Sequence, residues 1–203
     1  MEMAPIILVY LFYSMVGMAH LAPIDGELQE FFVHHRVKRA KVELPLDIFD
    51  VTRWHNYFRR KPIASDMEHV HHSQVLADRA LWWARKCRFD YVPPEDHRAR
   101  GDILRTTLSP LFATYGQNIY HTSKLLGDNE LIREALSSWY DESRVYLPDD
   151  ATCLIGSCRL YKQLMWASVQ AVGCAAIRCD RLRDPFGNNY ANELFLVCNY
   201  NRQ

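Results

Sequence analysis

"AVGCAAIRC", residues 171–179, is a short, partly alternating apolar run, which is typical of a β-strand. Two similar runs lie on either side of it, "LYKQLMWASV" at 160–169 and "ELFLVCNY" at 193–200. Earlier in the chain, from Leu46 onward, the apolar residues recur instead at helical spacing. Because the helices come first and the strands last, we predict an α+β domain with a mostly antiparallel sheet.

Three amphipathic helices are predicted upstream of these runs, from apolar residues that recur at a period of about 3.6. The first helix ends before Pro62, and the second places Cys87 inward near its end. The third helix begins at Asp128 or Asn129 as its N-cap. The predicted inward residues are Ile48, Val51, His55 and Phe58 in the first helix, Leu76, Ala80 and Trp83 in the second, and Ile132, Leu136 and Trp139 in the third.

The composition is that of an ordinary globular domain. The chain has 203 residues, which suits one domain with a substantial core. Lys and Arg together number 24, as do Asp and Glu, so the charge balance does not indicate a nucleic acid or an acidic lipid as partner. The chain has neither a glycine-rich phosphate loop nor a G-x-S-x-G motif. We therefore expect no cofactor and no nucleic-acid partner.

The N-terminus carries an export signal. Residues 1–19 form an apolar run that ends in small residues, with Gly17 and Ala19 at −3 and −1 of a cleavage site, and this pattern indicates a signal peptide. An uncleaved signal anchor is the alternative. No other segment of the sequence is long and apolar enough to span a membrane. We expect a secreted, extracellular protein with no transmembrane segment after signal cleavage.

Residues 20–45 form a polar leader without clear periodicity. Within it, residues 36–39 contain Arg36, Lys38 and Arg39, which suit the acidic cleft of a furin-like processing protease. Cleavage there would leave Ala40 as the N-terminus. A solvated basic patch is the alternative.

Six cysteines follow the leader, namely Cys87, Cys153, Cys158, Cys174, Cys179 and Cys198. An even number of cysteines behind an export signal predicts disulfides in an oxidising compartment. Zinc binding is the alternative, but no C-x-x-C occurs and no histidine lies near the paired cysteines. Spacing alone does not choose among the many pairings that six cysteines allow.

Seven motifs in order resemble the CAP superfamily of cysteine-rich secretory proteins, venom antigen-5 proteins and plant pathogenesis-related-1 proteins. They are "WHNYFRRKPIASDM" (54–67), "WWARKCRF" (82–89), "YGQNIY" (115–120), "SSWYDE" (137–142), "CRLYKQLMW" (158–166), "AVGCAAIRC" (171–179) and "LFLVCNY" (194–200). The resemblance covers about residues 46–200 and assigns 46–203 to a CAP (SCP-like) domain. It implies an α-β-α sandwich with three disulfides, which pair Cys87 with Cys179, Cys153 with Cys158, and Cys174 with Cys198.

The same resemblance locates a central cleft. Many CAP proteins carry two histidines and two acids there, and in some members the histidines hold a divalent metal. The corresponding residues here are Tyr91, Gln117, Glu142 and Leu160. Leucine neither binds a metal nor moves a proton, glutamine does not titrate near neutral pH, and tyrosine, with a pKa of about 10, is a poor base at pH 7. We therefore predict no metal and no catalytic residue, and we interpret Glu142 as a structural carboxylate hydrogen-bonded to Gln117 or Tyr91.

Two other groups of residues suggest ligands. His69 and His71 would share one face of an extended segment and, with His72, could hold a metal, although exposed loop histidines are commoner. Trp139, Tyr140 and Tyr146 belong to an aromatic segment near the region where some CAP proteins bind sterols, while others take fatty acids between helices. A loop of aromatic residues can cover a flat apolar ligand. Packing of Trp139 in the core, with Tyr146 covering it, is the alternative.

The G-Q-N form of residues 116–118 also resembles the branch named for peptidase inhibitors and LCCL-domain proteins. That branch usually keeps the last cleft histidine and continues beyond this point, so we expect no C-terminal accessory domain here. Together these features predict a non-enzymatic, secreted protein of the venom allergen-like or defence-related kind, with an unknown extracellular protein as its partner. Sterol or fatty-acid transport and protease inhibition are the alternatives.

Overall fold

The core of the fold is a long antiparallel hairpin near the end of the chain, onto which shorter strands and helices pack. The computed structural model describes residues 41–62, 66–93 and 115–201, all within one compact unit that spans residues 39–203. The elements in chain order are β1 (Val42–Leu44), α1 (Ile48–Arg59), β2 (His71–His72), α2 (Gln74–Ala84), β3 (Gly116–Thr122), α3 (Asp128–Asp141), a 3-10 turn (Glu142–Val145), β4 (Tyr146–Leu147), β5 (Thr152–Cys153), α4 (Arg159–Leu164), β6 (Ala171–Arg183) and β7 (Asn189–Tyr200).

The main sheet has the order β1-β6-β7-β3, with every neighbour antiparallel, and β2 pairs in parallel with the start of β6. β4 and β5 form a separate two-stranded ribbon. The edge strand β1 lies before residue 46, where the sequence analysis begins the domain, so part of the predicted leader belongs to the sheet. The predicted signal peptide and the residues Arg36, Lys38 and Arg39 lie outside the described residues.

Helices cover both faces of the sheet, which confirms the predicted α-β-α sandwich. Successive residues of a strand point to opposite faces, and β6 follows this rule. Cys174 and Ala176 pack in one apolar cluster with α1 and α3, whereas Ala175 and Ile177 pack in a second cluster with α2. Both faces of the central strands are therefore buried, and for this reason the 171–179 run is apolar almost throughout.

The predicted helices are present, with small differences at their ends. Val51, His55 and Phe58 are buried as expected, but Ile48 is half exposed at the first position of α1. Cys87 is buried but lies beyond the end of α2, where its backbone has a positive φ of 50°. The N-cap of α3 is Gly127, one residue earlier than the first predicted candidate.

The prediction of a strand at 160–169 is wrong, because residues 159–164 form the short helix α4. Leu160 and Leu164 lie four residues apart and thus share one side of this helix, with Leu164 buried and Leu160 half-buried against the same cluster. Gln163 is also buried, and it occupies the space beside Gly116. A Cβ atom on Gly116 would lie 2.0 Å from the Gln163 Oε1 atom, so a larger residue here would displace the Gln163 side chain.

The three disulfides pair as the family resemblance implies: Cys87 with Cys179, Cys153 with Cys158, and Cys174 with Cys198. The first closes a separation of 92 residues and ties the segment after α2 to β6. By loop entropy it contributes about 4–5 kcal/mol, against about 2 kcal/mol for the short Cys153–Cys158 loop. Within the described ranges, no helix combines the length and apolar character needed to cross a bilayer.

Candidate functional site

The four cleft positions are contributed by four different parts of the fold. Tyr91 lies in the segment after α2, Gln117 is on β3, Glu142 follows the last residue of α3, and Leu160 is in the first turn of α4. Each of these residues has structural contacts, and those contacts decide what the cleft can do.

Gln117 is buried and uses both ends of its amide. Its Oε1 atom accepts a hydrogen bond from the Val92 backbone N–H at 3.1 Å, and its Nε2 atom donates to the Asn199 Oδ1 atom at 2.9 Å. The Asn199 Nδ2 atom in turn donates to the Leu76 carbonyl oxygen at 3.2 Å. This chain of neutral bonds joins β3, β7 and α2. A carboxylate at residue 117 could not donate to Asn199, so the amide suits this structural role and not acid–base chemistry.

Glu142 caps the N-terminus of helix α4. Its Oε2 atom accepts a hydrogen bond from the Tyr161 backbone N–H at 2.9 Å, and the Leu160 N–H also favours its charged form. The expected bond to Gln117 or Tyr91 is therefore wrong. Burial raises the pKa of Glu142 above its usual value, against the opposing effect of these two N–H groups. No side-chain bond from the N-cap residue Cys158 supports α4, so this carboxylate supplies the cap from another element.

Tyr91 and Leu160, the other two positions that the family resemblance assigns to the cleft, also make structural contacts. The guanidinium carbon of Arg159 lies 3.7 Å from the centroid of the Tyr91 ring, within cation–π distance. Burial is the main cause that raises the pKa of the Tyr91 hydroxyl, so this group stays protonated at neutral pH. Leu160 packs its side chain against the core, and its carbonyl accepts a bond of 2.9 Å from the Asn118 Nδ2 atom.

The donor set of the cleft does not fit a divalent metal. Leu160 has no donor atom, and both polar ends of Gln117 are engaged. Among the residues that the structure describes, one group of metal-ligating atoms converges within 4.8 Å: His55, Cys174 and Cys198. The two cysteines of that group form a disulfide, so they are not thiolate ligands. His69, His71 and His72 do not belong to it.

His55 is a buried structural histidine, as the sequence indicates. Its Nδ1 atom lies 2.7 Å from the Val51 carbonyl oxygen, and its Nε2 atom lies 3.1 Å from the Tyr200 hydroxyl. We therefore assign Nδ1–H as a donor to Val51 and the Tyr200 hydroxyl as a donor to Nε2. Burial lowers the pKa of His55 to about 4, so the ring is neutral at pH 7.

The aromatic segment is divided between core and surface. Trp139 is fully buried, and its Nε1–H donates to the Ile119 carbonyl oxygen at 3.1 Å, so it is not available to a ligand at the surface. Tyr140 and Tyr146 are half-buried, and each contacts the ring of Tyr161, with centroid distances of 5.6 and 5.2 Å. The alternative reading of Trp139 as a core residue is therefore confirmed.

One exposed apolar feature could not be predicted from the sequence. The Cys153–Cys158 bridge closes a short loop in which Leu154 and Ile155 are 63% and 73% exposed. We call these two side chains with their bridge the apolar loop. Two aliphatic residues inside a five-residue cysteine spacing are visible in the sequence, but their exposure depends on how α4 and β5 hold the loop ends.

Comparisons with known proteins identify the family of this fold. The model "CAP: Cysteine-rich secretory protein family" matches residues 52–200. Peptidase inhibitor 15 of Gallus gallus is 30% identical over 176 residues, which is 81% of this chain and 61% of that protein. GLIPR1-like protein 1 of Mus musculus is 34% identical over 149 residues, which is 72% of this chain and 55% of that protein. This chain thus spans less than two thirds of the length of these relatives.

The solved structures show the same fold. The venom allergen-like protein 4 of Schistosoma mansoni aligns with a TM-score of 0.53 and 24% identity, covering 74% of this chain and 84% of its own. At this level of identity the likeness concerns the fold alone.

Proposed function

Because the chain belongs to the cysteine-rich secretory protein family, we propose that it is a secreted, non-enzymatic CAP-domain protein that acts by binding an extracellular protein. The observation that carries this proposal is the state of the cleft. Gln117 links three elements through its amide, and Glu142 caps α4. Groups committed to holding the scaffold are poorly placed to do acid–base chemistry as well, so the active surface lies elsewhere.

The apolar loop is the surface that we assign to the protein partner. Leu154 and Ile155 extend into solvent from a loop that the Cys153–Cys158 bridge constrains, so little conformational entropy is lost when they are buried. A few fully desolvated side chains near the centre of an interface commonly carry most of its binding energy. By this proposal the chain is a venom allergen-like or defence-related modulator that presents a rigid apolar anchor to its partner.

The test is a binding screen of the purified full chain against a panel of extracellular receptor domains, followed by variants on each hit. We expect saturable binding that Leu154→Asn with Ile155→Asn weakens about tenfold or more. The matched control is Phe186→Asn, at a side chain that is 89% exposed in the hairpin turn between β6 and β7. Glu142→Gln should bind like the wild type. Loss of binding in Glu142→Gln, with the loop variant unaffected, would refute the proposal.

Secretion is tested by the mass of the protein that cells release. The proposal expects cleavage after residue 19, with or without a second cut after residue 39. Because three bridges form, the mass should be lower than that of the reduced chain by six hydrogen atoms. Full-length protein retained in the cell membrane would instead support the signal-anchor alternative.

Sterol or fatty-acid binding is a second candidate, favoured by the ring cluster of Tyr140, Tyr146 and Tyr161. The Lys61 ammonium lies 4.5 Å from the centroid of the Tyr140 ring, which places a cation beside the aromatic surface. Saturable binding of radiolabelled cholesterol or palmitate, reduced by Tyr146→Ala, would support this function. No saturable signal with either probe would dismiss it.

Protease inhibition is the third candidate, supported by the similarity to peptidase inhibitor 15. If the apolar loop were the inhibitory segment, Leu154 would suit an apolar specificity pocket, because the loop contains neither Lys nor Arg. The Leu154 N–H already donates to the Val145 carbonyl at 2.8 Å, so it is not free to bind a protease as a substrate would. Titrations against trypsin, chymotrypsin and elastase test this function, and unchanged activity of all three would remove it.

A further inference from the structure

A groove rich in basic residues lies at the end of the sheet where the Cys87–Cys179 bridge joins the segment after α2 to β6. The groove is open and has a volume of about 650 Å³. Cys87 and Pro185 line it together with charged residues, among which cations outnumber carboxylates by five to three. We call it the basic groove, and its cations are Lys41, Lys86, Arg88, Arg181 and Arg183.

The backbone fixes the positions of the three arginines. Arg181 and Arg183 are two residues apart on β6, so they share one face of the strand, while Leu182 between them is buried. Arg88 forms an isolated parallel bridge to Arg183. The Phe89 N–H donates to the Arg183 carbonyl at 2.7 Å, and the Arg183 N–H donates to the Cys87 carbonyl at 3.1 Å. These bonds and the disulfide hold the arginine backbones in one rigid row.

The basic residues of the groove are not neutralised within the part of the chain that the structure describes. None of the five takes part in a salt bridge there. Arg88 and Arg183 are paired across an isolated parallel bridge, so their side chains leave the backbone at neighbouring points of the groove.

Two of the three groove carboxylates are already engaged in local structure. Asp184 accepts hydrogen bonds from the Phe186 and Asn188 backbone N–H groups and from the Tyr190 hydroxyl, which organise the turn between β6 and β7. Asp90 accepts a bond of 2.8 Å from the Tyr91 N–H. The carboxylates keep their negative charge in these bonds, so the groove carries five cations against three anions, with Asp180 as the third, and remains net positive.

We propose that the basic groove binds a sulfated linear polysaccharide of the extracellular matrix or cell surface. Several cations along an open groove suit a polymer with repeated anionic groups, whereas a small anion needs a closed, convergent pocket. Guanidinium groups bind planar or tetrahedral oxyanions through paired hydrogen bonds. Eight of the ten lining residues carry a formal charge, which favours a charged ligand over an apolar peptide. This inference shares with the proposed function only the extracellular location and does not depend on the apolar loop.

The experiment is chromatography and equilibrium binding of the full chain on immobilised heparin, with desulfated heparin and single-stranded DNA as competitors. The groove variant is Arg181→Gln with Arg183→Gln, at two exposed side chains. The control variant, Arg133→Gln with Arg144→Gln, removes the same number of positive charges. Arg133 lies on α3 and Arg144 in the 3-10 turn after it, and α3 packs on the opposite face of the sheet from α2. A second groove variant, Lys86→Gln with Arg88→Gln, replaces the first if that one fails to fold.

We expect the wild type and the control to bind heparin above physiological salt concentration. The groove variant should elute at lower salt, bind about tenfold more weakly, and show a shallower dependence of affinity on salt, because fewer counterions are released. The proposal is overturned if groove variant and control elute together, if desulfated heparin competes as well as heparin, or if DNA competes better. Loss of heparin binding with retained binding to the protein partner would separate this groove from the proposed function.

Discussion

Replacement of Glu142 separates a structural carboxylate from a catalytic one. Alanine at this position removes the acceptor for the Tyr161 N–H, a bond of 2.9 Å, and for the neighbouring Leu160 N–H at the start of α4. Loss of an N-terminal cap costs about 1 kcal/mol, within a range of about 0.5–2 kcal/mol. Because Glu142 is half-buried, water replaces the lost bonds only in part, and we expect a loss of about 1–2 kcal/mol in the free energy of unfolding.

The Glu142→Gln variant is the informative comparison for Glu142→Ala. It keeps an oxygen that accepts from the Tyr161 N–H and removes only the charge. Burial disfavours the ionised form of Glu142 more than the two N–H groups favour it, and for this reason its pKa is raised. The neutral Glu142→Gln variant should therefore lie within about 0.5 kcal/mol of the wild type at pH 7, well above Glu142→Ala.

The pH dependence has a definite sign. A carboxyl whose pKa is raised by folding binds its proton more tightly in the folded state. Its contribution to stability is therefore greatest when it is protonated and falls as pH rises from the unfolded value of about 4.5 through the raised folded value. The stability of the wild type minus that of Glu142→Gln should accordingly decrease as pH rises above about 4.5.

Urea unfolding monitored by tryptophan fluorescence at several pH values measures all three proteins. Equal stability of Glu142→Ala and the wild type at pH 7 would refute the capping argument. A loss in Glu142→Gln as large as that in Glu142→Ala would show that the charge itself is required, and would return Glu142 to consideration as a functional acid.

Two further substitutions test the packing of the core and the charge state of its buried histidine. Gly173→Ala places a Cβ atom 2.1 Å from the Ala77 backbone nitrogen in the first turn of α2. We therefore expect the free energy of unfolding, measured in urea, to fall by about 1–3 kcal/mol or more. The control Gly127→Ala, whose Cβ would have no atom within 4 Å, should lose far less. His55 is neutral in the folded state because burial lowers its pKa to about 4, so its stabilising contribution is complete above pH 6.5 and falls by about 3 kcal/mol as pH drops to about 4. His55→Gln should lower stability at pH 7 and flatten this slope, and an unchanged slope would contradict the assignment.

The sequence predicts those helices whose own residues show a periodic apolar pattern. Helices α1, α2 and α3 each bury one face, so apolar residues such as Ile132 and Leu136 recur at helical spacing. Helix α4 could not be predicted in this way, because its N-terminal cap is Glu142, from another element, and its buried Gln163 contacts Gly116 on β3. Without the contacts to Glu142 and Gly116, the apolar residues of α4 resemble the pattern of a β-strand.

At the four cleft positions, likewise, the residue types can be predicted from the sequence but their contacts cannot. Motif order gives the residue types at its four positions, and these types suffice to predict that a metal does not fit. The partners of Gln117 could not be predicted, because Asn199 and Leu76 lie far along the chain and meet it only when β3, β7 and α2 pack together. The partner of Glu142 could not be predicted either, because the Tyr161 N–H meets its carboxylate only when α4 packs beside the end of α3.

The contacts of the cleft also explain why no single substitution would restore a metal site. Leu160→His would return one imidazole, but Tyr91 would remain stacked against Arg159, and the Gln117 amide would remain bonded to Asn199. Gln117→Glu would place a carboxylate against the Oδ1 atom of Asn199. If the Asn199 side-chain amide rotated to avoid this repulsion, its Nδ2 atom would lose the hydrogen bond to the Leu76 carbonyl oxygen. Because each of these positions is tied into the scaffold by its own contacts, a metal site would require several simultaneous changes.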